Sequence, residues 1–573
     1  MISEQGSLKP FIGESGNPLL PKSSGLELSG MKHVSNTKHA QKVAIHELLD
    51  LEDLDLDHSS LRKIPGSIPP VAYLICLVEL AERASYYGLT GCLNNFIQRP
   101  LPPGSTTGSV LDPTSDESAG ALGLGLGVAS FLTQMLSFLA YVTPLYGGYV
   151  ADTKYGKFKS VWVGVTIGFF AHMVLVVASL PCVINTVWLS LLLTVVSIVG
   201  IGFSAGYIKP NLFPLLVDQY AIDENYIKVL PTGERVVVDR NATLERMSLI
   251  YYFFINFGCF VAIFSSIIER AFGFWMTYGF TALVYSVLPI MLIYLKPRLH
   301  LGEPTGVSIF DEVILLLREL FQSGWISRMR HGQFWDIPIS AATQKLAPSV
   351  TIDDLNTTFQ SCAIFLYFII FNLNDGSIAS IQINQAGSMR TNGIPNDMFQ
   401  SFNPLAILII IPIQDYVLYP FLRKRRLTFH PIHKITVGFC VSATGTLVGA
   451  YLQYLIYNRS NCGWNGASDC ETVAPISAWW CSLMFGLQAT GECFATVTAY
   501  ELAYMMSSPA MKSFVVALFL CSNAISSVIG EMISFWAHDP NLYAIFMSCA
   551  LLGYGFAFVF FLQFRNLHKQ LEN

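Results

Sequence analysis

Three ionisable residues fall inside an apolar run, VAYLICLVELAERASYYG: Glu79, Glu82 and Arg83. A charge at the centre of a membrane helix costs roughly 2.5–3.5 kcal/mol on insertion scales, so the three need partners or a water-filled cavity. Spacings of three and four residues put them on one helix face. A self-neutralising structural pair is the bland reading. Two carboxylates against one guanidinium, however, leave an acid without its own counter-charge, the arrangement expected of a group that loads and releases a proton. Lys209, in GIGFSAGYIKPNLFPLLVDQY, is an ammonium at similar depth. It requires an anion, and the surplus carboxylate of the first run is the expected one. Pro210 removes a backbone donor and Gly202 and Gly206 permit close approach, so this helix is expected to bend where Lys209 points inward. Glu492 and Glu501, in FGLQATGECFATVTAYELAYMM, stand half a helical turn out of phase. One is expected to face a cavity while the other ties its helix to a neighbour. Asp375, among Asn372, Asn374 and Gln382, adds a further acidic position in FNLNDGSIASIQINQAG.

The elements that must position these groups are membrane helices. Hydrophobic residues make up 52% of the 573-residue chain and charged ones only 13%, with a mean hydropathy of +0.48, which is the composition of a protein dissolved in lipid. A hydrocarbon core about 30 Å thick takes roughly 20 apolar residues per helical span. Twelve such stretches are read, near 71–92, 121–146, 160–180, 188–216, 249–270, 275–295, 360–383, 403–421, 434–456, 477–505, 512–534 and 543–564. The predicted class is an all-α integral membrane protein.

Lys and Arg are retained on the cytoplasmic side of membranes. Lys154, Lys157 and Lys159 follow the second stretch, Arg423, Lys424, Arg425 and Arg426 follow the eighth, and Arg565 and Lys569 follow the last. The alternate loops hold one such residue or none, so both termini are expected in the cytoplasm. The organisation read from this is a disordered cytoplasmic tail over 1–68, a six-helix bundle over 69–296, a cytoplasmic linker over 297–358, a second bundle over 359–565 and a short tail over 566–573. Within the linker, Phe310, Val313, Ile314, Leu317, Leu320 and Phe321 recur at helical spacing, fitting a helix laid on the membrane surface or one packed on the linker. Two halves of six spans with a long linker suggest the major facilitator architecture, with a substrate site between the halves. Ten cysteines lie in or beside apolar spans and read as packing. Cys462 and Cys470 share a polar loop on the outer side, where a disulfide is plausible.

At the ionisable positions the sequence resembles the proton-dependent oligopeptide transporters, fungal members above all, over roughly residues 65 to 565. Glu79–Gly88 is similar to the ExxERxSYYG signature of that family, with Ala84 where an aromatic is usual. Gly202–Gln219 resembles its fourth-span signature, Tyr251–Gly258 (YYFFINFG) its FYxxINxG signature, and Tyr500–Ser513 its tenth-span pattern. Gly148, Asp152, Gly156 and Lys157 match the GxxxDxxxGK loop of major facilitators generally. The resemblance implies proton coupling through Glu79, Glu82, Arg83 and Lys209. It implies a peptide clamp in which Arg83 and Lys209 lie near the carboxylate, Asn256 and Asn403 hold the backbone, Glu501 takes the amino terminus, and Tyr86 and Tyr87 line the site. Glu492 and Asp375 stand as additional polar positions. Small peptides and protons are the implied partners, and the plasma membrane the implied location.

A paralogue carrying another amphiphilic or peptide-derived metabolite is a second reading, and a nutrient-sensing receptor that keeps the fold a third. With a formal charge of −5 and no basic stripe, nucleic acid is not an expected partner. No phosphate loop, metal-ligand motif or paired nucleophile and base is apparent in the sequence, so neither an enzyme nor a cofactor or metal site is expected.

Overall fold

The computed structural model describes residues 61–565, apart from 113, 223, 303, 305, 307, 323, 324, 332, 337–342, 344–346, 419, 420, 423, 424, 426–429, 469, 471 and 507–510. Most of the two expected tails, together with Arg423, Lys424, Arg426 and Lys569, therefore lies outside the described residues.

The first bundle comprises α1 (Pro70–Gln98), α2 (Gly125–Val150), α3 (Lys157–Ala178), α4 (Val187–Val217), α5 (Arg240–Phe272) and α6 (Phe274–Leu295). After the linker helix α7 (Ile309–Gln322) come α8 (Ile352–Gly387), α9 (Phe402–Ile413), α10 (Pro431–Arg459), α11 (Trp480–Met506), α12 (Lys512–Ser534) and α13 (Leu542–Phe564). Among the described residues, nine of these helices are long and apolar enough to cross a bilayer. The other three in the sequence of spans are α1, which carries three charges in its middle, α9, which is short and runs on into a π turn at Gln414–Leu418, and α11, which carries Glu492 and Glu501. In hydrocarbon every backbone donor and acceptor must be satisfied internally, which is why apolar stretches of this length become helices.

Small residues set the helix spacing. A Cβ on Gly147 of α2 would lie 2.1 Å from the carbonyl oxygen of Gly206 on α4, and Thr143 Oγ1 donates to the carbonyl of Gly202 at 2.8 Å. In the second bundle a Cβ on Gly491 of α11 would lie 2.6 Å from the carbonyl oxygen of Gly438 on α10. Backbones this close bury helix against helix without large side chains, the device lipid-embedded helices use where water gives no drive to associate.

The span α8 is broken into three segments rather than one rod, Ile352–Cys362, Phe365–Asp375 and Ala379–Gly387, and the second break falls at Gly376, next to a run of polar residues. The carbonyl freed at Asn374 accepts from Gln488 Nε2 of α11 at 2.6 Å and from Thr446 Oγ1 of α10 at 3.4 Å. Asp375 is thus the last residue before a gap in a membrane helix.

Helix α7 packs its stripe on protein. Val313, Leu316 and Leu320 are buried with Val350, Leu355 and Met511, while Ile314 and Phe321 are exposed. The stripe is rotated slightly from the one read in the sequence, because Leu316 replaces Ile314 and Phe321 in the contact. Seven of the ten unbridged cysteines are buried, but Cys182, at the turn between α3 and α4, is exposed and does no packing. Cys462 and Cys470 are joined by a disulfide.

A separate small unit, formed among the described residues by 61–64 and by Asn225–Asp239, carries a three-stranded sheet. Its strands are β1 (Lys63–Pro65), β2 (Tyr226–Val229) and β3 (Arg235–Asp239), in the order β1-β3-β2, with an Arg62–Glu234 ion pair at 3.0 Å. Residues 63–65, placed in a disordered tail by the sequence, are therefore a strand. Their partner lies about 170 residues away, beyond the reach of local patterning.

Candidate functional site

The middle of α1 gathers the expected cluster. Arg83 Nε lies 3.2 Å from Glu79 Oε1 and also contacts Glu82, and all three side chains are buried. Tyr251 of α5 donates its hydroxyl to Glu79 Oε2 at 2.6 Å, a contact the sequence did not announce although Tyr251 opens the YYFFINFG run. The guanidinium of Arg83 sits 5.2 Å from the ring centre of Tyr86 and 6.0 Å from that of Tyr87.

Lys209 does not pair with a carboxylate, contrary to expectation. Its ammonium lies 5.4 Å from the ring centre of Tyr86 and 5.0 Å from that of Tyr141, and donates weakly to the carbonyl of Ala140 at 3.4 Å. Among the described residues no acid lies within ion-pair distance of it. Lys209 sits among the tyrosines of α1 and α2, with Glu79 and Glu82 near enough to act on it electrostatically but beyond ion-pair distance. A cation held by aromatic faces and one carbonyl keeps donors free for an incoming anion. Tyr141 had no sequence signal.

The second half supplies the opposite charge. Asp375, at the break in α8, and Glu492 of α11 are close enough to act on one another electrostatically, and Oδ1 of Asp375 is buried without a hydrogen-bond partner. The field of Glu492 also reaches Tyr141, Tyr252 and Cys259 of the first half. Glu492 therefore faces the space between the halves. Glu501 lies on the helical backbone of α11, and its side chain is outside the described residues. Asn256 is buried, its amide donating to the carbonyl of Tyr252 at 2.9 Å, which leaves one amide hydrogen and the oxygen for other partners. Asn403 sits half-buried in the first turn of α9. The arrangement is bipolar: Arg83 and Lys209 in the first bundle, Asp375 and Glu492 in the second, with tyrosines between.

At one end of the bundle Lys157 Nζ binds Asp218 Oδ2 at 2.6 Å, tying the start of α3 to the end of α4. Lys157 belongs to the GxxxDxxxGK loop and Asp218 to the fourth-span signature noted above.

Residues 158–544 match the model of the POT family. The chain belongs to the POT family. It is 42% identical over 533 residues to the peptide transporter PTR2 of Candida albicans, covering 90% of this chain and 85% of that one. It is 36% identical over 519 residues to the MFS-type transporter ucsM of an Acremonium species, covering 87% and 86%. Among solved structures, an auto-inhibited POT family peptide transporter superposes with a TM-score of 0.65 at 18% identity, covering 87% of this chain and 97% of that one. The POT family transporter PepTSo gives 0.64 at 18%, covering 88% and 99%. This POT-family chain has the fold of the major facilitator transporters, is an integral membrane protein, and is a transporter rather than an enzyme.

Proposed function

We propose that the chain is a proton-coupled symporter that imports di- and tripeptides by alternating access. The observation that carries this reading is the separation of charge between the two bundles. A zwitterionic peptide needs a cationic site for its carboxylate and an anionic one for its ammonium, with amides between them held by groups that donate and accept. Arg83 and Lys209 serve the first need, Asp375 and Glu492 the second, and Asn256 and Asn403 the third. The similarity to transporters whose names specify peptides supports the same substrate class.

Glu79 and Glu82 share Arg83, so their protonation state is tied to whether Arg83 is free to engage the peptide. Loading a proton on this cluster releases the guanidinium, and a peptide carboxylate takes the vacated position. Placement of the Lys-rich end in the cytoplasm follows from the charge bias of the loops, and the plasma membrane is the location that fits an importer. Uptake of a labelled dipeptide into cells lacking their own peptide carrier tests the proposal. Uptake is expected to be faster at about pH 5.5 than at about pH 7.5, and an ionophore that collapses the proton gradient is expected to abolish accumulation. Unchanged accumulation in the presence of the ionophore would remove proton coupling.

A further inference from the structure

Three helix ends of the first bundle meet around a cavity of about 720 Å³ that shares no residue with the site at Arg83 and Lys209. It is lined by the start of α3, the end of α4 and the end of α6, together with Leu301, Gly302 and Pro304 of the linker. Small-ligand sites fall in the same range, roughly 300–1,000 Å³. The lining changes character with depth in the same way on each helix. Lys157 and Lys159 open α3, and Trp162 and Val163 follow about 8 Å deeper at 1.5 Å per residue. Asp218 stands just beyond α4 with Leu215 one turn inside, and Lys296 stands just beyond α6 with Ile293 one turn inside. Ile293 is 65% exposed and Ile290, a further turn in, is 68% exposed, so the apolar wall of the cavity is continuous with the lipid-facing side of α6.

The polar end of the cavity suits an anion. Lys157 Nζ binds Asp218 Oδ2 at 2.6 Å and spends one of its three donors there, and Asp152, in the turn before α3, also acts on Lys157 electrostatically. Lys159 and Lys296 are exposed, and among the described residues neither makes an ion pair. Helix α3 adds to their field. Its N-cap is Gly156, so no side chain caps the first-turn amides, and 22 residues of helix stand behind them. Those amides belong to Lys157, Phe158 and Lys159, all of which line the cavity. Two ammonium groups and a bare helix start thus converge on one space, with an apolar wall beneath them.

We propose that this cavity binds an anionic phospholipid, with the phosphate held by Lys159, Lys296 and the first amides of α3 and the start of the acyl chains laid along Trp162, Val163 and Ile293. A soluble phosphate satisfies the lysines and leaves the apolar wall without a partner, whereas an uncharged amphiphile does the reverse. An anionic lipid satisfies both. Its headgroup and chains are stacked along the membrane normal in the same order as the lining. The charge bias of the loops assigns this end of the bundle to the cytoplasm, and the cytoplasmic leaflet is the one that carries anionic lipids. Trp162 fits the boundary between headgroup and hydrocarbon, where indole rings are enriched. All three helices belong to the first bundle, so the lipid site stands apart from the peptide site between the halves.

The test uses the purified full chain in detergent without peptide, and native mass spectrometry counts the ligands retained. Dioctanoyl phosphatidylserine is the probe, compared with dioctanoyl phosphatidylcholine, glycerophosphoserine and inorganic phosphate. The wild type is expected to hold one phosphatidylserine at least about tenfold more tightly than any of the three. Lys159→Gln combined with Lys296→Gln is expected to weaken that lipid at least about tenfold. Lys154→Gln combined with Arg330→Gln removes the same charge from exposed positions outside the cavity and is expected to leave binding unchanged. Lys159→Arg combined with Lys296→Arg keeps the charge and is expected to keep the lipid. Wild-type binding by the Lys159→Gln, Lys296→Gln protein overturns the proposal. So does an equal loss in the Lys154→Gln, Arg330→Gln protein, since overall charge would then account for the attraction. Phosphate or glycerophosphoserine bound as tightly as the lipid also overturns it, by making the ligand a soluble anion, and that comparison is made on the wild type and depends on no variant folding. Because no peptide is present, each of these failures leaves the proposed transport function standing.

Discussion

Glu492→Gln separates an anionic clamp from a merely structural acid on α11. On the proposed reading the ammonium of a bound peptide meets the Asp375–Glu492 pair, where a buried oxygen of Asp375 is already available. A hydrogen bond to a charged group contributes about 1.5–3 kcal/mol, and 1.4 kcal/mol is a factor of ten, so the variant should bind a free dipeptide about 10- to 100-fold more weakly. An N-acetylated dipeptide brings no cation, leaves the acids unpaired and should be rejected by the wild type. The amide of the variant no longer demands a cation, so its discrimination between free and acetylated ligand should collapse by a similar factor. Calorimetric titration of purified protein with both ligands measures each arm directly, without requiring the variant to transport. Glu501→Gln run in parallel should keep the wild-type discrimination. If Glu492→Gln keeps it and Glu501→Gln loses it, the assignment of the amine site to Glu492 is wrong.

Arg83→Ala strands Glu79 and Glu82 in a buried site, a change that costs about 3–5 kcal/mol when one partner of a buried pair is removed; a clear fall in melting temperature and loss of uptake are expected, with partial recovery in Arg83→Lys. Gly147→Ala forces α2 and α4 apart at the Gly206 carbonyl and should destabilise by about 1–3 kcal/mol, read by thermal unfolding in detergent. Lys157→Ala removes an ion pair whose side chains are about a third exposed, so its effect on stability should stay below about 1 kcal/mol despite the short distance.

Hydropathy made the membrane helices legible because the bilayer leaves the backbone few alternatives. The α1 cluster was legible for a similar reason: residues three and four apart on one helix must meet whatever surrounds them. The opposite phase of Glu492 and Glu501 was equally plain, but which of them faces the cavity depends on how α11 is rotated. That rotation is fixed by Gly491 against Gly438 of another helix, a contact written in two distant places. Lys209 was legible only in part on the same ground: the carboxylates of α1 do act on it, but its direct neighbours are rings on α1 and α2. The meeting of β1 with β3 joins residues more than a hundred positions apart. No local period encodes such a meeting.

The gap in α8 makes that helix a jointed lever rather than a strut. Asp375 stands at the joint, held from behind by Gln488 and Thr446, and the outer arm runs from Gly376 to Gly387, carrying Asn384, whose Oδ1 accepts from Gln98 Nε2 of α1 at 2.5 Å. At 1.5 Å per residue that arm is about 16 Å long, so a tilt of about 10° at the joint sweeps its tip through about 3 Å. A displacement of that size exceeds the tolerance of a hydrogen bond. Charge arriving at the pivot and the fastening of the far end are thus connected by one short rigid arm, with mechanical gain set by the position of a single glycine.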